Sequence, residues 1–537
     1  MKLIRPKHIN NSYLLSSNVL QADSRASTSS RTITSSSVAN PTIITTDAHS
    51  MVGGTNAVVT ISGHTGSTPD INGEYLATVT SSTQFSIPVN VTVGGTGGTA
   101  VVSAYESGTA YALGQIVQVD SPAVTVTMTI ASPCVVTRNA HGFEDDDIII
   151  FTTTGALPTG ITAGKHYYIR VLTANTFNIS SELLNFQEIT TSGTQSGTHR
   201  GTVSTHKVYE SLGSGHVGNT PRSSPTFWLD LGDTNRWKMF DRSVASRTTN
   251  ADSIAITLQP TGRCDSVALI NISADTVNYR MTDSGSGATV TMTIATPCVV
   301  TDTGHTKIDG DMVRFSTTGD LPTGLVVDTT YYVVNAATDT YELSATSGGA
   351  SIDTSGTQSG THTVKTVVYD ETYSLTYDGG IDNWYSYFFE PIFRSRDNVE
   401  IDMPHYIDPI IDITLTGTGE LVSCGACIIG TRLDFGPTQL GARSGIDNYS
   451  VKTRDNFGNY NILERAFSKR ADFTSWINNG RIGAMQDTLS DYRATPIVYI
   501  GEESLTNMII YGFYKDFSID IAYPDVSICT TTIEGLT

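Results

Sequence analysis

"TVTMTIASPCVVT" occupies residues 125–137, and "TVTMTIATPCVVT" occupies residues 289–301. The two segments differ only at Ser132 and Thr296. In each, Thr alternates with Val, Met and Ile, the period-two pattern of a strand with one face in a core and one in water. A Pro and a small residue then break the strand before "CVVT" begins another. One strand pair has thus been written twice, 164 positions apart.

The repeat extends beyond the pair. "FTTTGALPTGITAGKHYYIRVLTANTFNIS" (151–180) answers to "FSTTGDLPTGLVVDTTYYVVNAATDTYELS" (315–344), and "TSGTQSGTH" recurs at 191–199 and 354–362. Each copy is a unit of about 80 residues, built of short strands broken by Gly and Pro turns such as "LPTG". A diverged copy, "IITTDAHSMVGGTNAVVTISGHTGSTPDINGEYLATVTSSTQFSIP" (43–88), has the same order of signals. It places His49 where the other copies have His141 and His305. Units this large can fold alone, so the period marks repeated domains rather than a solenoid. Three units are expected, at 41–103, 121–204 and 286–366.

With their "H-G/S-x(4–5)-D/N-x-V/I" turn and "YY…TF/Y" strand pair, these units resemble the small β-modules that recur in structural proteins of tailed bacteriophages. Those modules share a loose likeness to the first catalytic-cysteine half-domain of ubiquitin-activating enzymes. The resemblance covers about 40% of the chain. It implies a virion building block and no ubiquitin chemistry.

The sequence around the second unit reads as one interrupted domain. "AYESGTAYALGQIVQVD" (104–120) precedes it and "THKVYESLGSGHVGNTPRSSPTFWLDLG" (205–232) follows it. Joined, they are similar to the small carbohydrate-binding modules of chitinases and cellulases, with Tyr111, Gly114, Val117, Tyr209, Gly218, Pro221 and Trp228 in the pattern. Tyr105 stands where that family has Trp. The resemblance implies sugar binding by Tyr105, Tyr111, Tyr209 and Trp228 through stacking on aromatic faces. The alternative is that Tyr111, Tyr209 and Trp228 form the small domain's core.

The third unit interrupts another strand-rich sequence. Residues 235–285 plus 367–433 carry eight or nine strand signals with turns every 8–12 residues, which predicts a jelly-roll-type β-sandwich scaffold. Residues 1–40 read as an N-terminal arm and Ser/Thr-rich linker, extended over 24–40. Residues 434–537 read as a C-terminal α+β domain, its helix marked by Ile482, Met485, Leu489 and Tyr492 and stopped before Pro496. The predicted fold class is mainly β and multidomain: a sandwich scaffold with three inserted small β-modules and the C-terminal α+β domain.

Composition agrees with many strands and few helices, because Thr, Ser, Gly, Val and Ile dominate and charged residues make up only 16%. The 52 acidic residues against 32 basic ones give a net charge of −20 with no basic tract. Binding to a phosphate backbone therefore lacks its driving force, and nucleic acid is not an expected partner. No run of about 18 apolar residues predicts a membrane span. "MKLIRPKHINNSYLLSSNVL" lacks the apolar core of a signal peptide, so synthesis and folding in a host cytoplasm are expected. Six cysteines in 537 residues are too sparse to predict a disulfide framework.

Motifs for chemistry are weak. Cys424 and Cys427 form a C-x-x-C with no second ligand pair at zinc spacing, and two packed thiols are the simpler reading. Asp145, Asp146 and Asp147 could offer oxygens to calcium, but the corresponding "IDGD" and "GGTN" do not keep them, which favours a solvated turn. One His per unit at a strand end suits a backbone hydrogen bond better than a metal. "GGTGGTA" (94–100) lacks the Lys-Ser/Thr of a phosphate loop, and no Gly-x-Ser-x-Gly elbow occurs. No catalytic residue, metal or cofactor is predicted, and the chain is not read as an enzyme. The reading is a structural component of a phage virion, in a tail, baseplate or fibre, with other virion tail proteins as partners and as a homo-oligomer. The alternative is an adhesin that binds a bacterial surface glycan through the sandwich or the small aromatic module.

Overall fold

The alternation in the opening segments becomes a burial pattern: Val126 and Met128 point into a core while Thr125 and Thr127 face water, and Val290 and Met292 repeat this against Thr289 and Thr291. The computed structural model describes all residues except 52–55, 121–122, 140, 182–185, 378–382, 390–392, 455–456, 494, 504 and 537. The fold is mainly β and multidomain. It divides into two compact units, Val19–Asp241 and the remainder, Met1–Asn18 with Arg242–Thr537.

Each copy of the repeat is a closed ring of strands. In the second copy the strands are Ala123–Met128, Val135–Thr137, Ile148–Thr153, His166–Thr173, Thr176–Ser180 and His199–Val203. The first pairs with the second, the second with the fifth, then fourth, third and sixth follow, and the sixth returns to the first. The third copy has the same circuit through Ala288–Met292, Val299–Thr301, Met312–Thr317, Tyr331–Val334, Thr340–Ser344 and the first half of His362–Ser374. So does the first copy, through Ser29–Ser36, Thr42–Thr46, Asn56–Ser62, Gly73–Ser81, Gln84–Ile87 and Thr99–Ser103. Closing the ring leaves no sheet edge to aggregate. The interiors are filled by side chains, with Phe85 in the first, Phe151 and Phe177 in the second, and Phe315 and Tyr341 in the third.

The first barrel begins earlier than expected. Ser29–Ser36 is its opening strand, paired with Thr99–Ser103 and Thr42–Thr46. A boundary at residue 41 cuts this ring. Its sequence, "SSRTITSS", has few apolar residues because only Ile33 and Ser36 turn inward.

The second barrel sits between two strands of a small sheet. Ile116–Asp120, His206–Ser211 and Trp228–Asp233 pair side by side, with His206 opposite Asp120. This sheet continues into the first barrel at Asn56, which pairs with Asp120.

The other unit is a two-layer β-sandwich with the third barrel on one layer. One layer has nine strands, among them Lys2–Lys7, Ser266–Ile270, Asp397–Glu400, Ala426–Asp434, Ile497–Ile500, Ile509–Asp520 and Val526–Gly535. Residues from the N-terminal stretch, the middle and the last hundred thus share one sheet, and a boundary at 434 falls inside it. Ile4, near the start of the chain, lies between Ala426–Asp434 and Ile497–Ile500 and is fully buried. The helix Ile482–Asp491 lies in this stretch, with Met485 and Leu489 buried and Tyr492 just beyond its end. In the second layer Thr276–Thr282 lies between Ile410–Cys424 and His362–Ser374. Hydrogen bonds cross between the layers: Tyr279 Oη donates to Asn398 Oδ1 at 2.7 Å, and Tyr369 and Tyr373 both donate to Glu400 Oε2 at 2.6 Å. Among the described residues no helix is long and apolar enough to cross a membrane.

Candidate functional site

The four aromatic residues of the small sheet come together, but as a core. Tyr111 lies on the loop before Ile116–Asp120, and Tyr209 and Trp228 lie on adjacent strands. Their exposures are 4%, 5% and 2%, and Val117 completes the cluster. Tyr105 is half-buried against it, with its ring 5.5 Å from Tyr111 and 5.9 Å from Trp228. The polar handles are used internally: Trp228 Nε1 donates to the Asn219 carbonyl at 2.8 Å, and Tyr111 Oη accepts from the Glu106 amide at 2.7 Å. Burial pushes the Tyr111 and Tyr209 phenols up to about 12. Stacking on a sugar needs an exposed ring face, and Tyr111, Tyr209 and Trp228 do not offer one.

Side chains kept identical between the second and third barrels also serve the fold. Gln195 Nε2 donates to the Met128 carbonyl at 2.7 Å, and its carbonyl oxygen meets His199 Nε2 at 3.1 Å while His199 Nδ1 meets Thr153 Oγ1 at 2.8 Å. Gln358, His362 and Thr317 repeat this at 2.7, 3.2 and 2.9 Å. The recurring "TQSGTH" is therefore an internal strut between the first, third and sixth strands.

The His and Asp candidates close turns. His141 accepts from the Phe143 amide at 2.9 Å, and its Nε2 meets the Thr173 carbonyl at 2.9 Å. His305 accepts from the Lys307 amide at 3.1 Å. His49 is buried, and burial lowers its pKa. Asp145 accepts from the Val171 amide, Asp147 from the Glu144 amide, and Asp309 and Asp311 take the same places in the third barrel. Asp146 between them has φ of 71°, the position Gly310 holds at 97°. Among the described residues no group of three or more His, Cys, Asp or Glu is placed to hold a metal. All six cysteines are unbridged and buried, and burial pushes the Cys424 thiol up to about 12 and the Cys427 thiol well above its ordinary value. A thiol so placed is a poor ligand and a poor nucleophile.

Three ion pairs that the sequence did not signal fasten the barrels to their hosts. Arg31 of the first barrel makes two bonds to the buried Glu106, at 2.7 and 2.8 Å. Asp147 of the second pairs with Arg222, which also holds the Gly142 carbonyl at 2.6 Å and Thr205 Oγ1 at 2.8 Å. Arg314 of the third meets Asp412 of the sandwich at 2.9 Å, and Arg280 meets the same carboxylate at 3.0 Å. These partners are mostly buried, where such a pair fixes orientation more than it adds stability.

One surface open to a partner is a hairpin that carries four exposed apolar residues, Val451, Tyr460, Ile462 and Leu463. Val451–Arg454 pairs with Tyr460–Leu463, and all eight residues are exposed. Tyr460, Ile462 and Leu463 stand in water at 64%, 63% and 55%, close in sequence to the exposed Ile446 on the edge strand Arg443–Asn448. A run in the sequence does not reveal this, because an apolar strand reads as buried until its neighbours are known. Comparison of the chain with protein-family models, with curated proteins and with solved structures gives no match.

Proposed function

We propose that this chain is a structural component of a bacteriophage virion, in the tail, baseplate or fibres, that assembles with further copies of itself and with other virion tail proteins. The observation that carries the reading is the exposed strand pair Val451–Arg454 and Tyr460–Leu463, next in sequence to the edge strand Arg443–Asn448. A two-stranded hairpin wet on both faces is marginal in isolation, and an exposed apolar patch flanked by a free edge marks a contact between proteins. The three barrels support the same reading: their repeated side chains brace turns and ring closure, as in a building block, rather than converging on a reacting group. The phage assignment itself rests on the resemblance of the barrel sequences to phage β-modules.

Assembly is tested by light scattering on the purified chain and on an Ile462→Asp, Leu463→Asp variant. A higher-order species in the parent and monomer in the variant, with unchanged circular dichroism, is expected. A parent that stays monomeric at tens of micromolar, and an antibody against residues 287–366 that labels no phage particle, would overturn the reading.

A further inference from the structure

A second surface gathers positive charge in a strongly acidic protein. It is a cleft of about 600 Å3 in the sandwich unit, lined by segments near residues 245, 270, 395, 467, 507 and 536. Four cations line it: Arg247, Arg394, Arg396 and Lys469. Two are already neutralised. Arg394 spans Asp275 and Glu420 at 2.8 and 2.7 Å, and Lys469 pairs with the buried Asp397. Arg247 and Arg396 are exposed, and among the described residues neither has a carboxylate within ion-pair distance. Arg247 instead holds Asn271 Oδ1 at 2.6 Å, which orients the guanidinium with a neutral partner.

The rest of the lining narrows the ligand. Phe467 on the lining is 50% exposed, which leaves an aromatic side chain open to a ligand, and Tyr511 on the same lining is buried. Asn507 and Thr506 are exposed at the rim and bring hydroxyl- and amide-type hydrogen bonding. A guanidinium recognises a carboxylate through paired N–H donors, an open aromatic face packs on the C–H face of a sugar ring, and amides suit hydroxyl groups. We infer that this cleft binds an acidic saccharide, with its carboxylate on Arg247 and Arg396 and a ring against Phe467. The inference stands on the cleft alone and needs neither the hairpin contact nor a virion role.

The test is calorimetric titration of the full chain with a galacturonic acid oligosaccharide, its methyl ester and inorganic phosphate. Binding of the acid at least tenfold tighter than the ester is expected. An Arg247→Ala, Arg396→Ala variant should lose at least tenfold in affinity, and Phe467→Ala several-fold, with melting unchanged. Arg396→Gln alone provides the same comparison should the double variant fold poorly. Equal affinity for acid and ester, no binding of the acid, or unchanged affinity in the arginine variants would overturn the inference. Phosphate bound as tightly as the oligosaccharide would overturn the saccharide assignment. Because every arm reads the cleft, failure here leaves the light-scattering test of assembly untouched.

Discussion

His206 Nδ1 and Asp120 Oδ1 lie 2.6 Å apart, and both side chains are 1% exposed. They are the residues at which the chain leaves and enters the second barrel, and they sit opposite one another in the small sheet. Gln118 and Gln21 also donate to the Asp120 carboxylate, at 2.6 and 3.1 Å, and Trp237 stacks on the imidazole at 4.4 Å. The insertion is thus closed at its base by a saturated polar clasp. Removing one partner strands the other in a dry site, which costs about 3 kcal/mol. Asp120→Ala should therefore lower the melting midpoint of the Val19–Asp241 unit by about 6–12 °C. Thermal unfolding followed by hydrogen exchange at residues 206–211 reads this, and an unchanged midpoint would mean the clasp is decorative.

Excision of the third barrel should leave the sandwich standing. Thr282 pairs with Val367, and the Asp283 amide donates to the Thr366 carbonyl at 3.0 Å, so the cut ends are already neighbours. Closing such a gap costs little, because chain entropy varies only logarithmically with loop length. The deletion removes Arg314 from Asp412, but Arg280 and Thr257 still hold that carboxylate at 3.0 and 2.7 Å. Replacement of residues 286–366 by a short Gly/Ser linker should shift the midpoint by only a few degrees. Loss of the cooperative transition in calorimetry would show that the barrel is needed for the scaffold.

The thiols give a chemical readout of the same packing. All six are buried, and Cys264 and Cys424 are pushed up to about 12 by loss of solvent. Only the thiolate reacts. At pH 8 a disulfide reagent should label none of the six in the native protein within minutes and all six in denaturant. A fast native thiol would contradict the burial.

Asp233 contributes one part of the pH dependence, opposed by the buried His49 and by His166, whose pKa values burial lowers. Desolvation, then the neighbouring Asp241, raise its carboxyl from 3.8 to about 7, with Asp230 and Asp147 adding to the shift and Lys207 opposing it. The folded state therefore holds this proton more tightly than the unfolded chain. Its contribution to stability is complete below 3.8 and is lost as pH rises to about 7, then flat. The Val19–Asp241 unit should melt higher at pH 5 than at pH 8 on this account, and Asp233→Asn should reduce the difference. A variant with the parent's slope would assign the dependence elsewhere.

The barrels were legible because their signals are local. Val126 and Met128 alternate with Thr, and the Gly-Pro turns around "LPTG" recur in order, so strand and turn can be read within a window of ten residues. Ser29–Ser36 was missed because Ile33 is its only large inward side chain, and a polar strand is recognised only by the partners that flank it. The shared sheet of Lys2–Lys7 and Ile497–Ile500 was out of reach for the same reason: no local feature of "KLIRPK" names a partner near residue 498. Tyr105, Tyr111, Tyr209 and Trp228 lie together in the structure as packed side chains, and a sequence pattern that groups them does not decide which side of a ring faces water. Arg247 and Arg396 lie far apart in sequence and carry no motif, so only the folded surface brings them to one cleft.

His362–Ser374 belongs to the third barrel at its start and to the sandwich at its end, one strand with a register shift at Val367–Tyr369 where it passes from one to the other. Thirteen residues of strand reach about 43 Å at 3.3 Å each. Mechanically that makes one beam of two bodies. A tug on the barrel travels along this beam into the sheet, where its hydrogen bonds to Thr276–Thr282 are loaded together in shear instead of being unzipped one by one. An attachment carried in this way resists tension while holding its aim.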